Sequence, residues 1–334
     1  MNDYQHIIKT IKKKGRAFEK RLIKLATVKN ALFTCLLLIF FLVFFSIATF
    51  DRFLLQETEE GRVLAVPFAL PPPAAYPVAV GILGVDTISP SLSAHSAIII
   101  DNDSKVVLFA KNPTLRFSMA STTKIMTALV ALEHFNLYDV LTIQSDPREV
   151  EGATVGFIKG EKAFFEDLLY AMLLPSGNDA AVALAQNYPG GEKAFVEKMN
   201  KKAEGLHLFN TYYVDPSGLN DNNYTTVFDL ANLASVALKQ QTLSHIVSTK
   251  KKVIRSVSGN VYSFTNLNKL LGANGVFGMK TGFTDEAGGV LVTLKKEGER
   301  TFILVVMKSD DRFADTEKLI FLISGKVQFE SMSP

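Results

Sequence analysis

Ala31 to Phe50 reads ALFTCLLLIFFLVFFSIATF, twenty consecutive residues without a charge. A run like this has to be buried, in a core or in a bilayer. At the helical rise of about 1.5 Å per residue it spans ~30 Å, the thickness of a bilayer's hydrocarbon core. Residues 1–30 hold nine Lys or Arg against Asp3 and Glu19, and Asp51, Glu57, Glu59 and Glu60 follow the run. That asymmetry fits the positive-inside rule with a cytoplasmic N-terminus, so the bulk of the chain is expected on the outside. The rival is a cleaved signal peptide, with Ser46-Ile47-Ala48 as its small-residue site. Signal cores usually run only about 7–15 residues, which favours a retained anchor. Cys35 is the only cysteine, which excludes an internal disulfide and a Cys-based zinc site. Most of the apolar run follows Cys35, so a lipoprotein reading fails.

The remaining 304 residues carry 27 basic and 31 acidic side chains, so the positive net charge belongs to the tail and not to a nucleic-acid-binding domain. Five of the twelve prolines fall between Pro67 and Pro77, including Pro71-Pro72-Pro73. Such a stretch favours extended polyproline II. The expected organisation is a basic tail (1–30), a transmembrane anchor (31–50), a Pro-rich stalk (51–84) and one globular domain (85–334).

In the globular part, 96–101 and 105–110 flank Asn102-Asp103-Ser104 as a hairpin would. Residues 122–134 read as a buried helix, and Phe164, Phe165, Leu168, Leu169, Met172 and Leu173 recur at helical spacing until Pro175. Further helices fit 179–187, 192–205 and 226–239, the last opened by Thr226 with Asp229 three residues on. Strands fit 250–257, 289–294 and 301–308, and a final helix fits 312–329. This order predicts an α+β architecture, an antiparallel sheet covered by helices.

Three short motifs occur in order: Ser121-Thr122-Thr123-Lys124, an S-x-x-K; Ser176-Gly177-Asn178, an S-x-N; and Lys280-Thr281-Gly282, a K-T-G. Each alone is weak, and decoys exist at Ser248-Thr249-Lys250-Lys251 and Ser258-Gly259-Asn260. Context separates them. Ser121 stands where a polar stretch gives way to a buried helix, and an i, i+3 spacing puts Ser121 and Lys124 on one face. Free N–H groups and the positive dipole end at a helix start favour an oxyanion. Burial disfavours the ammonium, which fits Lys124 to act as a base on the hydroxyl. The Ser248 site sits among exposed cations, and Ser258-Gly259-Asn260 uses ordinary turn residues. Gly282 in the third motif is expected to let a ligand approach the backbone.

With these motifs the chain resembles the serine D-alanyl-D-alanine carboxypeptidases, the low-molecular-mass penicillin-binding proteins of the serine β-lactamase superfamily. The likeness runs from about Ser93 to Val306 and includes Pro216-Ser217-Gly218-Leu219 and Gly278-Met279 before the K-T-G. It implies a β-lactamase/DD-peptidase-like fold with a helical subdomain, and an acyl-enzyme on Ser121. Lys124 would be the base, Ser176 a proton relay to the leaving D-alanine, and Asn178 a contact to the substrate's peptide. Lys280 and Thr281 would hold the terminal carboxylate, and the backbone N–H groups of Ser121 and Phe283 would form the oxyanion hole. No metal or cofactor is implied. The implied partners are peptidoglycan stem peptides ending in D-Ala-D-Ala and β-lactams as covalent inhibitors, on the outer side of a bacterial cell membrane. Many members carry a β-rich domain after the catalytic one and a C-terminal anchor. Neither is expected here, where the chain stops soon after its last helix.

Other readings of the same motifs stay open: a DD-endopeptidase, a β-lactamase, or a catalytically silent penicillin- or wall-binding module. Glu166 invites a deacylating role. It precedes the S-x-N inside an amphipathic helix, whereas the class A pattern has that Glu after it, so Glu166 reads as a solvated helix face.

Overall fold

A computed structural model describes residues 76–82 and 90–332. The basic tail, the expected membrane segment and most of the Pro-rich stalk lie outside the described residues. The strands are β1 (Tyr76–Ile82), β2 (Ser96–Asp101), β3 (Val107–Lys111), β4 (Phe117–Ser118), β5 (Val140–Thr142), β6 (Lys162–Phe164), β7 (Tyr224–Thr225), β8 (Lys251–Arg255), β9 (Val261–Thr265), β10 (Val276–Thr284), β11 (Gly288–Glu297), β12 (Arg300–Ser309) and β13 (Val327–Met332). The helices are α1 (Lys124–Leu132), α2 (Phe165–Leu173), α3 (Asn178–Asn187), α4 (Gly191–Gly205), α5 (Val227–Leu238), α6 (Gln241–Ser248) and α7 (Arg312–Ile323).

Five strands form an antiparallel sheet in the order β10-β11-β12-β2-β3. Its central strands are apolar on both faces. On β2, Ile98 and Ile100 face one core while Ala97 and Ile99 face another; on β12, Ile303 and Val305 alternate in the same way with Leu304 and Val306. Strands buried on both sides read as continuous apolar runs, which is why Ser96–Asp101 shows no polar alternation. One face is covered by α7 through Leu319, Ile320 and Ile323. The other carries the larger core, where α1 is buried along eight of its nine residues. The result is a three-layer α+β architecture with the expected antiparallel sheet.

The Asn102 hairpin forms, and Asp101 accepts the Ser104 N–H at 3.1 Å to close its turn. Thr226 caps α5 by accepting the Asp229 N–H at 3.0 Å, as its spacing predicts. Three expectations need correction. The last helix ends at Ile323 rather than running to 329, because Gly325 adopts φ +67° and turns the chain. The residues after it form β13, which pairs with β1, so Tyr76–Ile82 is a strand inside the stretch read as stalk. Finally, the K-T-G, expected only to lead toward the strand at 289, lies within a strand of its own, β10.

Candidate active site

The first motif begins in a single 3-10 turn, Ala120–Thr123, that runs directly into α1. Ala120 has φ +46°, a left-handed conformation that an L side chain adopts only when its surroundings hold it there. Two glycines make room for that turn. A Cβ on Gly218 would lie 1.9 Å from the Ala120 carbonyl oxygen, and a Cβ on Gly282 would lie 3.2 Å from the Ser121 nitrogen. Gly282 was expected to admit a ligand. Its missing side chain instead lets β10 lie against the backbone of the Ser121 turn.

Lys124, the first residue of α1, is fully buried. Its Nζ donates to Ser121 Oγ at 2.9 Å, to Asn178 Oδ1 at 2.7 Å and to the Ser217 carbonyl at 2.6 Å. Burial pulls its pKa from the ordinary lysine range down to about 7, with Asp215 and Asp179 opposing the drop. A lysine drawn to this range is readily neutral near neutral pH, and the Ser121 hydroxyl is within direct reach of its nitrogen. Glu166, in the first turn of α2, is not among the partners of Lys124.

Ser176 stands in the turn between α2 and α3 with φ +70°. Asn178 opens α3, and its Nδ2 donates to the Glu151 carbonyl at 2.8 Å, which aims the carbonyl end of the side chain at Lys124. Asp179 holds the neighbouring loop by accepting the N–H groups of Val155 at 3.1 Å and Gly156 at 3.0 Å. From the third motif, Lys280 Nζ donates to Ser176 Oγ at 2.9 Å and to the Thr281 carbonyl at 3.0 Å. Lys280 is 1% exposed, and burial first, then the positive charges of Lys124 and Arg312, hold its pKa well below the lysine range. Phe283 is 60% exposed on the same strand. Since β10 is an edge strand, alternate N–H groups along it point away from the sheet.

The three motifs thus converge. Ser121, Lys124 and Asn178 share one hydrogen-bonded cluster and Ser176 with Lys280 another, while Gly282 packs on the Ser121 turn. The decoys stay apart: Ser248 ends α6 with an exposed side chain, and Lys250 and Lys251 are exposed. Ser258 bonds the backbone of Lys162 in a surface turn.

Sequence reasoning assigned no role to two parts. One is the Pro216–Leu219 loop, whose Ser217 carbonyl is a partner of Lys124. Asp215 fixes that loop by accepting the N–H groups of Ser217 at 2.6 Å, Gly218 at 2.7 Å and Asn220 at 2.9 Å. An Asp two residues before a Ser-Gly pair is a recognisable turn signal, but nothing in the sequence ties it to Lys124. The other is Arg312 at the start of α7. Its guanidinium lies 5.9 Å from the Phe283 ring, and its buried Nε has no hydrogen-bond partner among the described residues. A cavity of about 470 Å³ lined by Glu149, Glu151, Glu192 and Asp215 lies behind the Ser217 loop, adjacent to the reacting groups but not lined by them.

Residues 85–311 match the family model of peptidase S11, described as D-alanyl-D-alanine carboxypeptidase. The chain is 37% identical over 237 residues to a D-alanyl-D-alanine endopeptidase of Pseudomonas aeruginosa, covering 68% of this chain and 76% of that one. It is 33% identical over 237 residues to the D-alanyl-D-alanine carboxypeptidase DacF of Bacillus subtilis, covering 68% of this chain and 61% of the relative. Among solved structures, the Streptomyces K15 DD-transpeptidase superposes with a TM-score of 0.67 at 34% identity, over 71% of this chain and 98% of that one. A buried lysine poised on a serine, a second serine–lysine pair on a sheet edge and a family match across the whole catalytic region agree: the chain belongs to the D-alanyl-D-alanine carboxypeptidase family of serine peptidases.

Proposed function

We propose that this chain is a membrane-anchored DD-carboxypeptidase that removes the terminal D-Ala from peptidoglycan stem peptides. The observation that carries the reading is the 2.9 Å contact between Ser121 Oγ and a fully buried Lys124 whose pKa is drawn to about 7. Neutral Lys124 takes the hydroxyl proton as Ser121 attacks the carbonyl of the penultimate D-Ala. The oxyanion is received by the backbone N–H groups of Ser121 and Phe283. Ser176, bonded to Lys280, passes a proton to the departing amine, so D-Ala leaves neutral at nitrogen and an ester remains on Ser121. Water then hydrolyses the ester and restores the hydroxyl. Asn178 orients the substrate amide. Lys280, Thr281 and Arg312 surround the place where a terminal carboxylate would sit beside the β10 edge. β-Lactams would acylate Ser121 by the same attack, the ring C–N bond opening and its nitrogen taking the proton while it stays tethered to the acyl group.

The uncharged run 31–50 behind nine basic residues supports a single-pass anchor with the catalytic domain outside the cytoplasmic membrane. The endopeptidase name of the Pseudomonas relative favours a second reading, cleavage of D-Ala-containing cross-links. Incubation with a stem peptide ending in D-Ala-D-Ala and with a cross-linked dimer, followed by mass analysis, separates the two. Loss of one alanine from the first substrate alone is expected. Cleavage of the dimer alone would overturn the carboxypeptidase assignment, and cleavage of neither would overturn both.

A further inference from the structure

Charge in the described domain is distributed unevenly along the chain. Between Asp229 and Asp285 there are seven Lys or Arg and no Asp or Glu, whereas the rest of 90–332 holds eighteen basic and twenty-six acidic residues. The basic stretch includes the β8–β9 hairpin, a separate two-stranded sheet. Its inner face is settled: Ile254 and Phe264 are buried, and Tyr262 packs edge-on against Phe157 with ring centroids 4.9 Å apart. Its outer face has no partner among the described residues. Lys251 and Arg255 alternate there with Val253, 65% exposed, and Arg255 lies opposite Val261, 55% exposed. Val257 is exposed at the turn, and Lys162 lies beside it through its backbone bond to Ser258. Among the described residues, no salt bridge engages Lys162, Lys250, Lys251 or Arg255.

We propose that the outer face of the β8–β9 hairpin docks on an anionic bilayer surface. An ordinary solvated face mixes both signs of charge, and this one carries only cations, so its complement is negative. Valines set between the cations distinguish a bilayer from a soluble polyanion. Lipid headgroups offer phosphates for the cations and, just beneath them, an apolar boundary for the exposed side chains. A dissolved polymer would leave the valines in water. Reach is sufficient: the 25 residues from Asp51 to Ala75 separate the uncharged run from β1, up to ~80 Å when extended. The proposal rests on the membrane placement argued above and not on the chemistry at Ser121.

The test uses the full-length chain in nanodiscs of zwitterionic lipid alone or with anionic phosphatidylglycerol. Val257→Cys carries an environment-sensitive fluorophore, with Cys35→Ser leaving that thiol alone. In anionic discs the probe should shift to shorter wavelength and its quenching by an aqueous quencher should fall roughly twofold, an effect abolished by salt at about 0.5 M, where screening is nearly complete. The double variant Lys251→Gln, Arg255→Gln should lose the shift, and undiminished penicillin labelling of Ser121 would show it to be folded. If that variant fails to label, the salt and lipid dependence of the parent decides alone. Chain that does not co-elute with discs overturns the membrane placement and the docking with it. Co-elution with identical emission in both lipids overturns the docking alone. A shift in zwitterionic discs seen only on adding soluble polyphosphate would assign the face to an anionic polymer instead.

Discussion

Acylation should titrate with Lys124, and removing one distant charge should move that titration in a direction fixed by its sign. Lys124 acts as a base only when neutral, and its pKa of about 7 makes it half neutral near pH 7. A lysine with an ordinary pKa would be neutral in only about one molecule in several thousand at that pH. The neutral fraction of Lys124 climbs from about one in eleven at pH 6 to about ten in eleven at pH 8, so the acylation rate should rise roughly tenfold across that interval. Asp215 opposes the drop caused by burial, as does Asp179, while Lys280 is the nearby cation of like charge. Asp215→Asn removes the charge and keeps an oxygen for the Ser217 and Gly218 N–H groups, so the loop that presents the Ser217 carbonyl keeps its principal acceptor. With less negative potential at Lys124, its ammonium loses stabilisation and the rising limb should shift to lower pH. The assay is the second-order rate of labelling by a fluorescent penicillin, measured from about pH 5 to pH 9 for both proteins. A flat profile in the parent would remove Lys124 as the titrating base. A limb that moved upward in Asp215→Asn would refute the electrostatic argument, and an unmoved limb with a lower plateau would leave Asp215 a purely structural role.

Lys280→Ala should lose about ten- to a hundredfold in kcat/KM on peptides ending in D-Ala-D-Ala, the equivalent of one charge-assisted hydrogen bond, and much less on the C-terminal amide. Equal losses on acid and amide would place Lys280 with the Ser176 proton relay rather than with carboxylate recognition. Gly218→Ala should abolish penicillin labelling, because its φ of +81° and a Cβ 1.9 Å from the Ala120 oxygen force the loop off the Ser121 turn; labelling at the parental rate would show that the turn does not depend on this contact. Intact mass of the protein recovered from membranes should include residues 31–50, and a mature N-terminus near Thr49 would show them to be a signal peptide.

What the sequence made legible is what periodicity and side-chain chemistry encode. Apolar residues from Ile125 to Leu132 marked α1, Thr226 with Asp229 marked the start of α5, and the ordered Ser and Lys motifs marked the cluster now seen around Lys124. β10 was not legible as a strand, because Gly275, Gly278 and Gly282 carry the local signal of a turn. Their reason is tertiary: Gly278 lies against Val247 and Leu294, and Gly282 against the Ser121 turn, contacts that no local pattern reveals. The Ser217 carbonyl was invisible for a different cause, since a backbone acceptor leaves no mark in residue type. Arg312 read as the first residue of a helix, which it is, and only the fold brings that helix start beside Phe283.

Two buried lysines in one site share a cause of perturbation and differ in what answers it. Burial disfavours the ammonium of each, but the groups around Lys124 are oxygens, with the carboxylates of Asp215 and Asp179 beyond them, while Lys280 is faced by the cations Lys124 and Arg312. At Lys124 the carboxylates oppose the effect of burial, whereas at Lys280 the neighbouring cations add to it, and both pKa values are lowered. In a site this dry the two side chains resist being charged together. A carboxylate arriving beside β10 supplies the negative charge that Lys280 lacks in the free protein, so binding a chain end favours protonation of Lys280 and, with it, a donor for Ser176. An internal peptide bond brings no such charge. On the proposed carboxypeptidase mechanism, a preference for a free C-terminus would be coupled to the proton relay: a substrate without the carboxylate would be held less tightly and would also meet Ser176 with a poorer proton source behind it.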